Sequence, residues 1–289
     1  MVKLIDSKLI LGKLPKRHEE SNKSTFGRIL NVAGSRNFIG AAFLSSVSAL
    51  KVGAGYVALA TPSEIVPIIA SMAPELTYIH LNSTEDGVIS DNNTIKDLYS
   101  YNVVSLGCGI SVTNETKNFI FKLLNEINKT QKVVIDADGI NLLSNHKGEI
   151  SLKNSVITPH PKELSRLLNV SVEEIIENRE KYARITSQTY ECITVLKGHN
   201  SIVTNGEKIF INQSGSSALA KAGTGDVLTG IISGLLAQKL SPLDAAIIGT
   251  YLHGISGDIA ASDLTKYSVL ASDVIDYLPF AIKTLLSEE

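Results

Sequence analysis

Short apolar runs alternate with longer amphipathic segments along almost the whole chain. Apolar runs of four or five residues that end in glycine, aspartate or proline are typical of buried strands, whereas a period of about 3.6 residues indicates helices. The predicted strands are residues 28–32, 56–60, 103–106, 132–135, 155–158, 193–196, 201–204 and 208–211. The predicted helices are residues 40–51, 116–128, 162–168 and 226–238, followed by one that opens at Ser241 and Pro242.

This alternation predicts an α/β fold with a mostly parallel central sheet and helices on both faces, because strands that are apolar throughout must be covered on both sides. Neither an internal repeat nor a linker is evident, so residues 1–289 are predicted to form one domain. The Asn205-Gly206 pair predicts a type I′ turn between the last two strands. In open α/β sheets ligands bind beyond the carboxyl ends of the strands, so a site is expected in those loops.

Composition and charge narrow the range of functions. The 289 residues are 44% hydrophobic and carry a formal net charge of −2, which provides for a core and lacks the basic character of nucleic-acid-binding surfaces. Cys108 and Cys192 do not have the paired spacing of a disulfide or zinc site, and Cys108 has no evident base, so we expect it to be packed rather than nucleophilic. No signal peptide or stretch of roughly 20 apolar residues is present. We expect a cytoplasmic protein without membrane or nucleic-acid partners.

The strongest chemical signal is the stretch from Ala222 to Gly230, which reads AGTGDVLTG. Glycines immediately before a helix let several backbone N–H groups point at one place, and together with the helix dipole these form an anion site. Asp226 then falls in the first turn of the helix, where its carboxylate can accept a proton from a hydroxyl that attacks phosphorus. The alternative is that Asp226 only caps the helix. Gly230 and Gly234 share one face and predict close packing of this helix on the sheet.

This stretch resembles the anion-hole motif of the ribokinase-like superfamily, and the chain more narrowly resembles the NAD(P)H-hydrate dehydratases, which repair hydrated NADH and NADPH. The matching segments occur in the family's order from about Leu14 to the C-terminus. They are residues 23–27 (KSTFG), 32–35 (VAGS), 40–42 (GAA), 107–109 (GCG), 134–138 (VIDAD), 158–163 (TPHPKE), 195–198 (VLKG) and 218–226 (ALAKAGTGD). Each segment is short, so the resemblance depends on their combination.

The resemblance implies a phosphoryl-transfer mechanism. Water added across a double bond of the reduced nicotinamide ring leaves a hydroxyl at C6, and phosphorylation turns that hydroxyl into a good leaving group whose elimination restores the ring. Asp226 would accept the hydroxyl proton, and the backbone around Gly223, Thr224 and Gly225 would form the anion hole. Mg²⁺ would assist. The phosphoryl donor would be ADP, as in the stand-alone prokaryotic type, or else ATP.

The segment after strand 193–196 is expected to bind the adenine nucleotide. A lysine there can meet a phosphate as a point charge, and the glycine beside it lets the backbone approach. Composition alone favours a solvated lysine in a hairpin turn, whereas the family resemblance implies nucleotide binding. The expected nucleotide-binding residues are Lys197, Gly198, His199, Asn200, Ser201 and Gly225.

Three residues besides Asp226 are expected to contact the hydrated dinucleotide. The resemblance implies contacts at Ala41 and at Gly109, the second glycine of the G-x-G turn, although small residues for tight packing explain much of the segment around Ala41. His160 can hydrogen-bond a ligand in either protonation state, and it can equally be a turn residue bonded to backbone. The glycine spacing is not the G-x-G-x-x-G fingerprint, so a hydride-transfer Rossmann site is not supported.

Acidic residues at the strand ends have two interpretations each. Glu163 falls in the first turn of its helix, where the dipole favours a carboxylate. In related kinases this glutamate helps to position hydrated Mg²⁺, so the resemblance implies a water-mediated Mg²⁺ contact here. Asp136, Asp138 and Asn141 can touch substrate or metal, or can cap the next helix. His253 lies in an apolar helix and is interpreted as a core residue.

The sequence therefore predicts an ADP-dependent or ATP-dependent dehydratase of the S epimer of hydrated NADH and NADPH, assembled as a homo-oligomer as is common in the superfamily. Because the dehydratase motifs begin near the start of the chain, no N-terminal epimerase domain is expected. Two alternatives stay open. One is a kinase of the same superfamily that acts on a thiazole, pyrimidine or pyridoxal alcohol and leaves a stable phosphorylated product. The other is an adenine-nucleotide-sensing protein without turnover.

Overall fold

The computed structural model describes residues 2–144 and 150–287, and within them the chain folds around one ten-stranded sheet. The strands are β1 (Val2–Ile5), β2 (Arg28–Val32), β3 (Tyr56–Pro62), β4 (Thr77–Leu81), β5 (Val103–Leu106), β6 (Lys132–Ile135), β7 (Ser155–Ile157), β8 (Ile193–Leu196), β9 (Ser201–Thr204) and β10 (Ile209–Asn212). The α-helices are α1 (Ser7–Ile10), α2 (Ile39–Lys51), α3 (Val66–Met72), α4 (Asn114–Glu126), α5 (Ala137–Leu143), α6 (Pro161–Leu168), α7 (Val172–Glu177), α8 (Arg179–Tyr190), α9 (Thr224–Ala237), α10 (Pro242–Leu264) and α11 (Ala271–Leu286). Short 3-10 helices cover Ser63–Ile65, Leu98–Ser100 and Ser217–Leu219.

The strands lie in the spatial order β1-β10-β9-β8-β7-β6-β5-β2-β3-β4. Strand β9 runs antiparallel to both of its neighbours, and the other pairs in the described sheet are parallel. Every residue of β5 is buried, because helices cover both faces of the sheet at its centre. The predicted α/β fold with a mostly parallel sheet is confirmed.

Alternate residues of the central strands contribute to two hydrophobic cores, one on each face of the sheet. Val103 and Val134 belong to the core that contains residues of α2, α9, α10 and α11. Their neighbours Val104 and Val133 belong to the opposite core, which contains residues of α4, α5, α6 and α8. Successive side chains of a strand point to opposite faces, so a strand between two cores must be apolar at every position.

The apolar pattern predicts the central strands well and the edges poorly. Strands β2, β5, β6, β8 and β9 have the predicted bounds, whereas β3 extends two residues further, to Pro62. The pattern does not predict β1 and β4, which form the two edges of the sheet. Three of the four residues of β1 are exposed, and β4 contains an exposed threonine and histidine, so neither strand has a continuous apolar run.

The hairpin between β9 and β10 forms, but its turn is not the predicted type I′ turn. The strand register leaves residues 205–208 in the loop, four residues instead of two. A type I′ turn needs positive φ at both central residues, and of the pair only Gly206 has one, at +88°. The Asn205 side chain instead accepts hydrogen bonds from the amides of Glu207 (3.1 Å) and Lys208 (2.8 Å), which closes the loop as an Asx turn.

Helix α9 begins at Thr224, and its glycine face lies against α2 rather than against the sheet. A Cβ atom on Gly230 would lie 2.2 Å from the Ser45 carbonyl oxygen, and one on Gly234 would lie 2.6 Å from the Ala49 carbonyl oxygen. The prediction that these glycines pack on the sheet is therefore wrong. They allow two helices to approach closely on the same side of the sheet.

The longest described helix is α10, which packs against α9 and α11. It begins as predicted, with Pro242 at the first position and the Ser241 hydroxyl accepting a hydrogen bond from the Asp244 amide (3.1 Å). Its buried face is built mainly from alanine, glycine and isoleucine. Across the described residues, no helix combines the length and apolarity that a membrane span requires.

The contact between α2 and α9 can be tested with Gly230→Ala. The added Cβ would lie 2.0 Å from the Ser48 hydroxyl oxygen, so we expect the free energy of unfolding in urea to fall by about 2 kcal/mol, as for other overpacked cores. The matched control is Gly40→Ala in α2, where a Cβ meets nothing within 4 Å and helix propensity improves. If Gly230→Ala were as stable as Gly40→Ala and the parent, α2 and α9 would not pack as closely as the structure shows.

Candidate active site

Four neighbouring parallel strands have their carboxyl ends side by side, and each is followed by a residue whose side chain can take part in catalysis or binding. Cys108 follows β5, Asp136 follows β6, His160 follows β7 and Lys197 follows β8. Because the strands are adjacent and parallel, residues that are far apart in sequence meet beyond these carboxyl ends. Helix α9 begins at the same place, since a Cβ atom on Gly225 would lie 3.3 Å from the Lys197 ammonium.

The Lys197 ammonium lies between acidic groups. Its Nζ is 2.5 Å from Asp136 Oδ1 and 3.8 Å from Glu163 Oε2. The second oxygen of Asp136 accepts a 2.8 Å hydrogen bond from the Thr229 hydroxyl on α9. Asp136 is only 1% exposed, so this ion pair is buried. Burial alone would lower the pKa of Lys197, but the carboxylates of Asp136 and Glu163 raise it, and the lysine stays protonated.

Asp226 lies in the first turn of α9, as predicted, and is partly exposed. Burial, followed by the Asp136 carboxylate, raises its pKa to about 6, while Cys108 and Lys197 oppose this shift. Within residues 2–144 and 150–287 Asp226 forms no ion pair. A carboxylate with a pKa near neutrality and no cation bound to it has the properties of a general base.

Cys108 is buried next to the two aspartates, and its sulfur and one oxygen each of Asp136 and Asp226 lie within 4.8 Å of one another. Burial, and then Asp226, raises the pKa of its thiol well above the usual value. Because the thiolate is the nucleophilic form, this environment suppresses reactivity. The prediction that Cys108 is a packed side chain is confirmed.

The loop before α9 is shaped by one glycine and one threonine. Gly223 has φ +91°, in the left-handed region that favours glycine. The Thr224 hydroxyl donates to the carbonyls of Leu219 (2.9 Å) and Lys221 (3.0 Å), and the Thr224 amide makes a 3.5 Å contact with the Lys221 carbonyl. The loop is therefore held by its own backbone carbonyls.

Two amides in the first turn of α9 are available to an anion. Among the residues that the structure describes, no acceptor takes a hydrogen bond from the amides of Gly225 and Asp226. The first amides of a helix have no partner within the helix and lie at its positive end. Of the three predicted anion-hole residues, Gly225 thus offers its amide most directly. Gly223 and Thr224 shape the loop.

A cleft of about 460 Å³ opens beside these amides, a volume typical of small-molecule sites. All six predicted nucleotide-binding residues line it: Lys197, Gly198, His199, Asn200, Ser201 and Gly225. The lining also contains residues that are not predicted to bind the nucleotide, namely Asn212, Ser214, Gly215, Thr250 and His253. They lie at the end of β10, just after it and within α10, where no local motif distinguishes them from ordinary packing residues.

Arg179 at the start of α8 holds the backbone of the segment that is predicted to bind the nucleotide. Its guanidinium donates hydrogen bonds to the carbonyls of Leu196 (3.3 Å), Lys197 (3.5 Å) and His199. A single arginine in a polar helix has no sequence signal for this role, because its partners are backbone atoms from another part of the chain. The contact helps to orient the segment that lines the cleft.

Gly109, which follows Cys108 in the chain, lies against Ala41. Gly109 has φ +66°, and a Cβ there would lie 2.9 Å from the Ala41 Cβ and 2.6 Å from the Phe38 Cβ. The Gly109 carbonyl accepts a 2.8 Å hydrogen bond from the Ser35 hydroxyl. The two residues expected to contact the dinucleotide therefore lie together, in the first turn of α2 and in the loop after β5.

His160 and Glu163 form a capping box at the start of α6. His160 Nδ1 accepts from the amides of Lys162 and Glu163, both at 3.1 Å, and the His160 amide donates to Glu163 Oε2 (2.7 Å). Burial, followed by Lys197, lowers the pKa of His160, and burial raises the pKa of Glu163 to about 7 with a further contribution from Asp136. Both residues have a structural role, and their ligand contacts stay predictions.

Asp138 and Asn141 stabilise neighbouring loops. Asp138 Oδ2 accepts a 2.9 Å hydrogen bond from the Ser111 amide, and Asn141 Oδ1 accepts one of the same length from Arg166. Neither contact caps a helix, so the capping interpretation of these two residues is wrong, and their contacts with substrate or metal stay predictions. Asp136, by contrast, is central to the site through its pair with Lys197.

Residues 29–280 match the family model of the NAD(P)H-hydrate dehydratases. The chain belongs to this family. The bifunctional NAD(P)H-hydrate repair enzyme Nnr of Moorella thermoacetica is 34% identical over 96% of this chain and 53% of its own length, so the chain spans about half of that relative. The ADP-dependent (S)-NAD(P)H-hydrate dehydratase of Bacillus subtilis is 30% identical, and the match covers 92% of each chain.

Solved structures of dehydratase relatives have the same fold. The ADP/ATP-dependent NAD(P)H-hydrate dehydratase of Bacillus subtilis, co-crystallised with ATP and Mg²⁺, superposes with a TM-score of 0.85 at 28% identity over 98% of this chain and 99% of that one. A ribokinase-like superfamily protein of Enterococcus faecalis gives a TM-score of 0.86 at 25% identity over 98% and 96% of the two chains. The hydroxyethylthiazole kinase of Pyrococcus horikoshii, at 16% identity and a TM-score of 0.61 over 89% of each chain, shares the fold alone. The ribokinase-like fold class is therefore confirmed.

The donor set of this dehydratase-family site suits Mg²⁺. Mg²⁺ prefers oxygen ligands and usually keeps several waters beside one or two carboxylates and the substrate phosphates. The site holds three carboxylates, Asp136, Glu163 and Asp226, against the single ammonium of Lys197, and the pKa values of Glu163 and Asp226 are raised. A hydrated cation would relieve this excess of negative charge. Direct coordination at Asp136 is disfavoured, because Lys197 and Thr229 already bind its oxygens.

Because the ion pair of Lys197 and Asp136 is buried, Lys197→Met should destabilise the fold more than the loss of an exposed ion pair does. Removal of the ammonium leaves the Asp136 carboxylate buried and unpaired, so we expect the free energy of unfolding in urea to fall by about 3 kcal/mol. Adding Asp136→Asn should restore part of that loss. The control is Lys13→Met, which removes the exposed ion pair with Asp244 and should cost less than about 1 kcal/mol. Equal losses for the two lysine variants would show that burial does not matter here.

Proposed function

We propose that this protein dehydrates the S epimer of hydrated NADH and NADPH, with an adenine nucleotide as phosphoryl donor. One observation carries the proposal: the Asp226 carboxylate, the free Gly225 amide and the cleft around Lys197 meet beyond the carboxyl ends of the central strands. Cys108, whose neighbour in the chain is Gly109, lies beside Asp226 there. Membership of the family, and the likeness to a relative named an ADP-dependent (S)-NAD(P)H-hydrate dehydratase, support this substrate class.

In the proposed reaction the C6 hydroxyl of the hydrated ring attacks the terminal phosphorus of the nucleotide, and the bond from that phosphorus to its bridging oxygen breaks. Asp226 accepts the hydroxyl proton. The C6–O bond of the resulting phosphate ester then breaks, phosphate leaves, and loss of a proton from C5 restores the ring double bond. With ADP the products are the repaired dinucleotide, inorganic phosphate and AMP.

The residues around Asp226 suit it to this step. Its pKa of about 6 makes it mostly deprotonated at neutral pH and still able to hold the transferred proton for a time. The amides of Gly225 and Asp226 point from the positive end of α9 toward the place where charge develops on phosphorus. The carboxylate and the anion-binding amides belong to the same helical turn, so their relative position is fixed.

The nucleotide and the metal would bind to different residues. The cleft lined by Lys197, residues 198–201 and α10 receives the adenine nucleotide, and ADP is the proposed donor because the Bacillus subtilis relative is named for it. Glu163 and Asp136 would hold hydrated Mg²⁺ through water. When bound, the cation neutralises charge on the phosphates. His160 would orient the dinucleotide.

The direct test mixes purified protein with hydrated NADH, Mg²⁺ and either ADP or ATP, and follows reduced-nicotinamide absorbance and free phosphate. We expect both to rise together, with ADP at least as effective as ATP. A stable phosphorylated product without free phosphate would indicate a kinase instead. Tight nucleotide binding without any product would indicate a sensor. Either result would overturn the proposal.

Asp226→Asn should abolish turnover and leave the fold intact. The amide cannot accept the hydroxyl proton, so we expect kcat to fall by about 10²–10⁴-fold, the usual contribution of a general base. Asp91→Asn, at an exposed aspartate that is not among the residues assigned to the site, is the control and should keep full activity. Circular dichroism and urea unfolding would verify that both variants fold. Normal turnover by Asp226→Asn would exclude the base assignment.

The raised pKa of Asp226 predicts the acid limb of the pH profile. The base form is lost as pH falls through the pKa of about 6, so kcat/KM should decrease about tenfold per pH unit below that value. The measurement is initial rate against pH at low substrate concentration, with enzyme stability checked at each pH. A profile that stayed flat to one full pH unit below 6 would show that no such carboxylate limits the reaction.

A further inference from the structure

We propose that His253 is a positioning residue, which holds the Thr224 carbonyl through its Nε2–H so that the Gly225 amide faces the terminal phosphate of the bound nucleotide. The sequence analysis treats His253 as a core residue. In the structure its ring lies in the wall of the nucleotide cleft, between α10 and the start of α9. The inference rests on the nucleotide site of the proposed function.

The hydrogen-bond chemistry determines the direction of the contact. His253 Nε2 lies 2.9 Å from the Thr224 carbonyl oxygen. A carbonyl oxygen can only accept, so Nε2 must carry the proton and donate it. Burial lowers the pKa of His253 to about 4, so at neutral pH the ring is uncharged, with its single proton on Nε2. The contact therefore adds a directed donor and no charge.

The geometry of the peptide bond carries this contact into the site. The carbonyl of Thr224 and the N–H of Gly225 belong to one peptide unit, and no cis bond occurs in the described chain. In a trans peptide these two groups point in opposite directions. Fixing the carbonyl toward His253 therefore fixes the Gly225 amide in the opposite direction, at the start of α9, where Gly225 lines the cleft.

This turn needs an external support because of its composition. Gly223 and Gly225 flank Thr224, and glycine has the greatest backbone freedom of any residue. The Thr224 hydroxyl is already bound to two carbonyls of the preceding loop, which fixes the side chain. The Thr224 carbonyl is the first in α9, and His253 gives it a partner from outside the helix. Anion-binding amides are effective when they are oriented before the charge develops.

The same helix supports the other loop of the cleft, which argues that α10 has a positioning role as a whole. Asp258 Oδ2, five residues after His253, accepts a 2.7 Å hydrogen bond from the Gly215 amide. Gly254 lets this loop approach, since a Cβ there would lie 2.1 Å from the Ser214 hydroxyl oxygen. Two polar residues of α10, His253 and Asp258, thus contact backbone atoms of two of the segments that line the cleft.

The experiment compares His253→Phe, which keeps a ring and loses the donor, with His253→Gln, whose side-chain amide can donate. Dissociation constants for ADP and for adenosine are measured by calorimetry, and kcat is measured with hydrated NADH. We expect His253→Phe to weaken ADP about tenfold, to change adenosine less than about twofold, and to lower kcat about 100-fold. His253→Gln should recover most of both losses. His80→Phe, at an exposed histidine on β4, should behave like the parent.

The binding measurements separate this inference from the proposed function. If the parent protein fails to dehydrate hydrated NADH but His253→Phe still loses ADP affinity selectively, the function is wrong and the positioning role stands. If ADP and adenosine weaken equally, His253 is a packing or base-contacting residue, and the inference is overturned. ADP affinity and kcat like those of the parent in His253→Phe would also overturn it.

Discussion

The ion pair between Lys197 and Asp136 is the contact on which the geometry of the site depends. Asp136 is almost completely buried after β6, and a carboxylate in such a place is tolerated only when it is paired and hydrogen-bonded. Lys197, after β8, supplies the pair at 2.5 Å, and Thr229 on α9 supplies a hydrogen bond at 2.8 Å. One buried carboxylate thereby joins two strand ends to the helix that carries Asp226.

The same pair leaves the site with an excess of negative charge. The Lys197 ammonium pairs closely with Asp136 and lies farther from Glu163, while Asp226 forms no ion pair within the described residues. Burial and repulsion consequently raise the pKa of Asp226 to about 6 and that of Glu163 to about 7. A carboxylate whose pKa is close to neutral pH, next to the positive end of a helix, combines two properties that phosphoryl transfer to a hydroxyl requires. It can take the proton, and the amides beside it attract the phosphate.

Helix α9 is fixed from three sides, which explains how amides in a glycine-rich turn can be ordered. Its glycine face lies against α2, Thr229 contacts the strand end at Asp136, and His253 on α10 binds the Thr224 carbonyl. Each contact uses a different part of the helix. Glycines that would weaken an isolated helix here permit close approach on one side and free amides at the start.

The sequence by itself determined the central strands, the hairpin and the place of Asp226 in the first turn of α9, because periodicity, caps and glycine turns are local signals. Residues 197–201 carry no such local signal, and only the family resemblance pointed to them. The tertiary structure alone decided which acid pairs with Lys197, since Asp136 is 61 positions away and the pairing order of the strands brings the two together. It also decided the edge strands β1 and β4, the packing of α9 on α2, and the role of His253. Edge strands lack a continuous apolar run, and a side chain that bonds a distant backbone carbonyl leaves no pattern in the sequence.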